Sequence, residues 1–298
     1  MSILAPSTVD SAASTGSAGP DVLTLSCPQR PGLVNAVTSF IVHRGLDIVE
    51  HQQFDDRVRQ RLFLRTALAG RRGIDLDELR ADFAPIAAAY DMDFALHDAK
   101  PQRVLVMVSK LGHCLNDLIF RWRAGSLGAD IVAVVSNHDT LRPMAEAAGL
   151  PFVQIPVTRD TKPEAEARLE SLIKEHSADV VVLARYMQVL SDGLVERLNG
   201  RAINIHHSFL PGFKGARPYH QAYERGVKMV GATAHYVTPE LDEGPIIEQE
   251  VIRVDHTYDP DALATVGRDA EALALSRAVR WHGQRRVLLN GSSTVVFR

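Results

Sequence analysis

The sequence predicts an α/β fold in two units: a ferredoxin-like βαββαβ unit, then a Rossmann-like unit with a mostly parallel sheet. The first prediction comes from residues 21–99, whose hydrophobic pattern gives strand, helix, strand, strand, helix and strand in that order. The second comes from residues 100–298, where nearly continuous apolar strands alternate with amphipathic helices, as in parallel sheets covered on both faces. Residues 1–20 are rich in Ser, Ala, Gly and Pro, which predicts a disordered tail.

Each element of the first unit is predicted by its own pattern. DVLTLSC alternates apolar and polar residues as a half-buried strand does, and LVNAVTSFIVHRG places four apolar side chains on one helical face: Leu33, Val37, Phe40 and Ile41. The β-rich runs LDIVEHQQFD and RQRLFLRTALA, separated by the charged turn DDRV, predict a hairpin. DLDELRADFAPIAAAYD predicts a second helix with acidic residues in its first turn, and DFALHD predicts a final strand.

The second unit is predicted to repeat strand and helix with short connections. Its expected strands are VLVMVSK, IVAVVSNH, FVQIPV, VVVLAR and AINIHHS, and its expected helices are CLNDLIFRWRAG, LRPMAEAAG and PEAEARLESLIKEH. An open parallel sheet binds its ligands beyond the carboxyl ends of its strands. The stretch NIHHSFLPGFK, residues 204–214, lies at one such end.

Composition argues against several classes of function. The chain has 298 residues and a formal net charge of -3, so it lacks the excess positive charge that binding to nucleic acid requires. No run approaches the roughly 18 consecutive apolar residues of a membrane span, and the N-terminal segment lacks a signal-peptide pattern. The two cysteines, Cys27 and Cys114, lie far apart, which fits a reducing compartment. We therefore expect a cytoplasmic protein that binds neither nucleic acid nor membranes.

Polar residues suited to carbonyl chemistry follow the strand AINIHHS. Because side chains alternate along a strand, Asn204 and His206 are expected on one face and His207 on the other. An amide donor beside an imidazole can polarise a carbonyl and move a proton, and Asp242, in the loop LDEGPIIEQE, can orient that imidazole. The residues alone leave open a reaction centre or a polar turn at a sheet edge. A metal site is not expected, because adjacent strand histidines diverge and no third ligand stands at a suitable spacing.

The longer string around these residues is more specific than its parts. Residues 202–250, AINIHHSFLPGFKGARPYHQAYERGVKMVGATAHYVTPELDEGPIIEQE, resemble the folate-dependent formyltransferase family, which keeps an Asn-x-His pair and an Asp before Gly-Pro-Ile-Ile. The resemblance covers almost all of residues 21–298, including SKLGHCLNDLIFRW, LARYMQVLSDGLV and VLLNGSSTVVF. The first unit is similar to an ACT domain, a regulatory module. The resemblance thus implies an ACT domain followed by a formyltransferase-type catalytic domain.

The resemblance also implies a role for each site residue. It makes Asn204 the donor to the formyl oxygen, His206 the acid/base partner, and Asp242 the carboxylate that holds His206 or the attacking water. It places the folate pocket on two segments that line a pterin ring: Met187, Gln188, Val189 and Leu190, then Glu240, Leu241 and Glu243. The alternative for the pocket residues is ordinary core at a strand-to-loop junction. Cys114 is expected to be a buried thiol rather than a nucleophile.

Within this family the chain is most similar to members that transfer the formyl group to water. The amine-accepting members carry a Ser-Gly-x-Gly-Ser-Asn loop that cradles a phosphate, whereas this chain reads SKLGHCLND and keeps only Gly112. The resemblance implies hydrolysis of 10-formyltetrahydrofolate to formate and tetrahydrofolate, which supplies formate for purine synthesis and balances the one-carbon pool. The folate is then the substrate, and no permanently bound cofactor is expected. An amine-accepting formyltransferase of the glycinamide ribonucleotide type and a non-catalytic amino-acid or folate sensor are the alternatives.

The ACT-like unit carries a further expectation. Its strand-to-helix turn, Arg30, Pro31, Gly32 and Leu33, lies where ACT domains commonly hold an amino-acid effector, and the relatives are expected to respond to methionine or glycine. The alternative is a plain capped turn that needs Pro31 and Gly32 for backbone reasons. Pairing of ACT sheets edge to edge would make the protein a homo-oligomer, a dimer or a tetramer.

Overall fold

The first sheet has the predicted ferredoxin-like order. The computed structural model describes residues 19–69, 75–212 and 218–298, so residues 1–18 of the predicted tail lie outside the described residues. The elements of this unit are β1 (Asp21–Pro28), α1 (Leu33–His43), β2 (Asp47–Asp56), β3 (Arg61–Ala69), α2 (Leu76–Ala89) and β4 (Asp93–His97). The strand order is β2-β3-β1-β4, and each neighbouring pair is antiparallel.

Both helices of this unit pack their apolar stripes on the sheet. Leu33, Val37 and Ile41 of α1 are buried, as the spacing predicted. Phe83 of α2 is fully buried between the rings of Phe40 and Phe94, with centroid distances of 5.0 and 4.8 Å. Burying a phenylalanine contributes about 1.5–3 kcal/mol, so this aromatic cluster is a main source of the unit's stability.

The second sheet has seven strands and is mostly parallel, as predicted. Its elements are β5 (Gln102–Val108), α3 (His113–Arg123), β6 (Ala129–Ser136), α4 (Arg142–Ala147), β7 (Phe152–Gln154), α5 (Lys162–Glu175), β8 (Val180–Leu183), α6 (Asp192–Leu198), β9 (Ala202–His206), α7 (Pro218–Glu224), β10 (Met229–Tyr236), β11 (Ile246–Arg253) and α8 (Pro260–Gly283). The strand order is β11-β10-β9-β8-β5-β6-β7. Strands β5 to β9 pair in parallel, whereas β10 is antiparallel to both of its neighbours.

Side chains alternate between the two faces along the central strand, β5, and contribute to a hydrophobic core on each face of this sheet. Val104, Val106 and Val108 of β5 pack in one cluster with residues of α3 and α8. Leu105 and Met107 face the other way and pack with residues of α5 and α6. β5 is apolar on both faces because helices cover both. No helix among the described residues has both the length and the hydropathy to cross a bilayer.

The long helix α8 and a short hairpin were not predicted from the sequence. In α8 the buried positions are largely small, among them Ala270, Ala274 and Ala278, which lets the helix lie close against the sheet but gives it no strong apolar stripe. The hairpin consists of β12 (Val287–Asn290) and β13 (Ser293–Val296).

This hairpin and the end of α8 join the two sheets. Phe63 of β3 is fully buried in a cluster with Val295 and Phe297. The guanidinium of Arg286 donates to the Glu50 carboxylate at 2.8 Å, and that carboxylate also accepts from the buried Arg65. The ACT-like unit is therefore joined to the second unit by apolar packing and by ion pairs of Glu50.

Candidate active site

A cavity of about 530 Å³ opens at the carboxyl ends of β8 and β9. Ligand sites in open parallel sheets are expected at this edge. The cavity is lined by the loop after β8, the end of β9 and the loop between β10 and β11: Leu183, Arg185, Tyr186, Met187, Gln188, Val189, Leu190, Val195, Asn204, Ile205, His206, His207, His235, Val237, Thr238, Pro239, Leu241 and Asp242. The volume is sufficient for a drug-sized ligand.

The predicted residues Asn204, His206 and Asp242 meet on the wall of this cavity. Asn204 and His206 stand two residues apart on β9, so they share a face, as strand alternation requires. Nδ1 of His206 lies 3.2 Å from Oδ2 of Asp242, and His206 is only 5% exposed. Its Nε2 is enclosed and has no hydrogen-bond partner among the described residues. A buried imidazole is therefore held at one nitrogen by a carboxylate, while its other nitrogen is left for a ligand.

The loop before β11 presents the Asp242 carboxylate in an unusual backbone conformation. Asp242 has φ 58°, in the left-handed region that Asp tolerates better than most residues. Gly244 lets this loop reach β10, because a Cβ there would stand 1.7 Å from the carbonyl oxygen of Tyr236. The hydrogen bond from His206 lowers the pKa of Asp242 below its usual range. The group is thus a carboxylate at neutral pH.

His235 belongs to the site as well, although the sequence did not indicate it. Its Nδ1 lies 2.8 Å from the carbonyl oxygen of Tyr236, which can only accept, so Nδ1 carries the proton. Burial lowers the pKa of His235, which keeps the ring neutral and leaves Nε2 to accept from the Asn204 amide at 3.3 Å. One N–H of Asn204 is therefore held by His235, which fixes the amide, and the other remains for a ligand. The role of His235 could be recognised only from the fold, because His235 pairs with Asn204 across the antiparallel strands β10 and β9.

The expectation that His207 points away from the site is wrong. His207 lines the cavity, and its ring centroid lies 5.0 Å from that of His206. The alternation rule fails here because β9 ends at His206 and the chain bends at His207. Burial, with the charge of Arg185, lowers the pKa of His207 to about 4, so this ring is neutral at pH 7.

The two predicted folate segments contribute unequally to the cavity wall. Met187, Gln188, Val189 and Leu190 all line the cavity, and Met187 and Val189 remain exposed to it. The loop is held from behind, since the Ser109 hydroxyl accepts from the Met187 backbone N–H at 3.1 Å. In the second segment Leu241 lines the cavity, whereas Glu240 and Glu243 are exposed and do not line it. The pocket is thus apolar on two sides, which suits a flat aromatic ring.

A buried ionic cluster adjoins the cavity at Arg185. The Glu271 carboxylate of α8, which is 2% exposed, is 2.7 Å from Nε2 of His113 and accepts from the Tyr219 hydroxyl at 2.9 Å. Nε of Arg185 is 3.3 Å from the same carboxylate. Gly267 leaves space for Tyr219, because a Cβ there would lie 2.0 Å from its hydroxyl.

Part of this cluster has the composition of a metal site. His113, Cys114 and Glu271 offer ligand atoms within 4.8 Å of one another. However, burial raises the pKa of the Cys114 thiol well above its usual range, and His113 is already hydrogen-bonded to Glu271. His113 and Glu271 thus form a hydrogen-bonded pair, with the buried Cys114 thiol beside it.

The candidate effector turn lies in the first unit and does not line the cavity. Nη2 of Arg30 is 2.5 Å from Oδ2 of Asp91, and its guanidinium lies over the Tyr90 ring. Pro31 and Gly32 are exposed, Gly32 has φ 91° at the start of α1, and Leu33 is buried. The turn is a strand-to-helix connection in which Gly32 supplies the left-handed conformation and no side chain caps α1.

Comparisons with known proteins agree with this arrangement. Residues 102–279 match the formyl transferase family model. A formyltetrahydrofolate deformylase from Corynebacterium sp. (strain P-1) is 57% identical over 93% of this chain and 98% of its own length. The crystal structure of a formyltetrahydrofolate deformylase from Burkholderia mallei is 53% identical, covers 94% of this chain and 100% of its own, and has a TM-score of 0.88.

An amine-accepting relative matches less of the chain. Glycinamide ribonucleotide transformylase 1 from Symbiobacterium toebii is 27% identical, with a TM-score of 0.62, and covers 66% of this chain but 95% of its own. The similarity to the deformylases, in contrast, extends through both units. On this ground the chain belongs to the formyltetrahydrofolate deformylase family.

Proposed function

We propose that the protein hydrolyses 10-formyltetrahydrofolate to formate and tetrahydrofolate at the site formed by Asn204, His206 and Asp242. The observation that carries the chemistry is the enclosed, unpartnered Nε2 of His206 beside the fixed amide of Asn204. A carbonyl oxygen placed between these groups would receive two hydrogen bonds in a site shielded from water. The names of the relatives supply the substrate, and the apolar cavity wall suits its pterin ring.

The reaction begins with the attack of water on the formyl carbon. A bond forms between the water oxygen and that carbon, and negative charge develops on the formyl oxygen. Asn204 and protonated His206 donate to this oxygen, while the Asp242 carboxylate, which also orients His206, accepts the proton that the water loses. His206 then gives its proton to N10 as the bond between carbon and N10 breaks. Formate and tetrahydrofolate result, with one proton released to solvent.

The start of α3 supports water, rather than an amine that carries a phosphate, as the acceptor. His113 is the first residue of α3, and the buried Glu271 carboxylate holds its ring. This pair lies at a helix start where a phosphate cradle would need small residues and free backbone N–H groups. An acceptor that carries a phosphate is thus disfavoured, and water needs no binding site of that size.

The first prediction is formate release in the absence of any amine. Purified protein mixed with 10-formyltetrahydrofolate alone should release formate and tetrahydrofolate in equal amounts, because water is the acceptor. Formate measured by a coupled dehydrogenase and tetrahydrofolate measured by absorbance would check this. The idea fails if formyl transfer occurs only when glycinamide ribonucleotide is added. A protein that binds the folate but transfers nothing under either condition would be a sensor.

We also propose that the ACT-like unit binds an amino-acid effector at the turn of Arg30 to Leu33 and pairs with a second copy through its sheet edge. Strand β2 forms one edge of the first sheet, and its Val49 and Phe54 side chains are exposed. An unpaired edge with exposed apolar side chains is suited to pairing. Light scattering should give the mass of a dimer or a tetramer, and replacing both side chains by lysine should lower it. A monomeric mass for the unmodified protein would refute the pairing.

A further inference from the structure

Arg185 is a buried cation on the cavity wall that the proposed steps do not use. Its side chain is 10% exposed, and Arg185 lines the same cavity as His206 and Asp242. Its Nε is enclosed and forms no hydrogen bond of good geometry, although Glu271 lies 3.3 Å away. Neither terminal nitrogen donates to any of the residues that the structure describes. A guanidinium offers five N–H donors, so most of its capacity is left for a ligand in the cavity.

Glu271 does not account for the position of this cation. The Glu271 carboxylate already has His113 at 2.7 Å and the Tyr219 hydroxyl at 2.9 Å as partners. Arg185 approaches it only through Nε, which leaves the bidentate edge of the guanidinium unused. That edge is the part of the side chain that recognises a carboxylate with two parallel hydrogen bonds.

The backbone of Arg185 gives a second, independent indication. Arg185 has φ 65°, in the left-handed region, which costs about 1–2 kcal/mol for a residue with a long side chain. Glycine would remove this cost. A strained arginine at the start of the loop after β8 therefore indicates that its side chain is needed at this point of the cavity.

The reaction itself creates a need for a cation here. The formyl group is neutral before attack, but formate is an anion, and it arises beside the Asp242 carboxylate. His207 cannot offset this charge, because its pKa is lowered to about 4. Two like charges a few ångströms apart in a partly enclosed site repel strongly unless a cation lies near them.

We propose that Arg185 and His206 form a subsite for the formate anion, with the guanidinium holding both carboxylate oxygens after the bond to N10 has broken. This inference rests on the proposed function, because hydrolysis is what generates formate at this place. Arg185 acts on the product and on the late part of the reaction, when the second oxygen bears charge. Water supplies that oxygen, and its proton leaves through Asp242.

The test is the binding of formate alone to the free protein. Line broadening of ¹³C-formate should show a dissociation constant on the order of 1 mM, which is near the limit for a ligand of three non-hydrogen atoms. Arg185→Gln should weaken formate binding about tenfold or more. Arg185→Lys should weaken it by a smaller factor, because lysine keeps the positive charge but lacks the two parallel N–H donors of the guanidinium. Arg277→Gln is the matched control, since Arg277 pairs with Glu250 outside the cavity, and should bind formate as the unmodified protein does.

The subsite is refuted if Arg185→Gln binds formate unchanged, or if Arg277→Gln loses as much affinity. If Arg185→Gln does not fold, as judged by circular dichroism, the lysine variant carries the test and must weaken binding. The binding measurement requires no turnover, so it is independent of the proposed function. Formate binding that depends on Arg185, without release of formate from 10-formyltetrahydrofolate, would overturn the hydrolysis and leave the anion site in place.

Discussion

Replacing Asp242 by asparagine is expected to lower kcat by about 10³-fold while leaving the fold intact. The substitution removes the only carboxylate within 4 Å of His206 among the described residues, and an amide can neither take a proton from water nor stabilise a protonated imidazole. Asparagine tolerates left-handed backbone as well as aspartate does, so the loop at φ 58° should keep its shape. Steady-state rates of formate release with a saturating folate concentration would measure the effect.

The matched control is Asp255→Asn, which removes a carboxylate from an exposed loop where it accepts from Thr257. It should retain the rate of the unmodified protein. Because the pKa of Asp242 is lowered, the group is already ionised at neutral pH, and its replacement removes a base that raising the pH does not restore. A rate within tenfold of the unmodified protein would remove Asp242 from the mechanism.

Replacing Asn204 by alanine is expected to lower kcat by about 10²–10³-fold, the usual cost of deleting one donor to a developing oxyanion. The effect should fall on kcat rather than on KM, because the hydrogen bond strengthens only as charge develops on the formyl oxygen. The same substitution frees Nε2 of His235, which then lacks its donor. Asn116→Ala, at an exposed position on α3, is the control and should leave kcat unchanged. An unchanged kcat in Asn204→Ala would exclude the amide as an oxyanion donor.

The sequence predicted most of the fold because its elements obey simple periodicities. β5, β6 and β8 are apolar on both faces, and α1 and α5 have clear apolar stripes, so these elements lie where the patterns placed them. α8 was not predicted because its buried residues are largely small or polar, such as Gly267, Ala270 and Ser276, and give little hydrophobic contrast with their neighbours. α6 was not predicted because it spans only two turns between two predicted strands.

The candidate site, like the fold, could be predicted only in part. Asn204 and His206 could be placed together because strand geometry relates residues two apart. The place of Asp242 beside them followed only from resemblance, and the structure supplies the 3.2 Å contact. His235 and Arg185 could not be found, because their roles depend on antiparallel pairing and on a left-handed turn, neither of which leaves a mark in composition. The roles of the folate segments remain predictions.

The packing of the β12–β13 hairpin on the first sheet affects the order in which parts of the protein fold during synthesis. The backbone carbonyl of Arg298 accepts from Gln52, which precedes it by 246 residues, and Phe63 is covered by Val295 and Phe297. At about 5–20 residues per second, a ribosome takes roughly 10–50 s to add that length of chain. During this time the ACT-like unit can fold alone, but Phe63 stays uncovered. An interval therefore exists in which this unit presents an apolar surface to other chains or to chaperones, and it closes only when residues 287–298 have emerged.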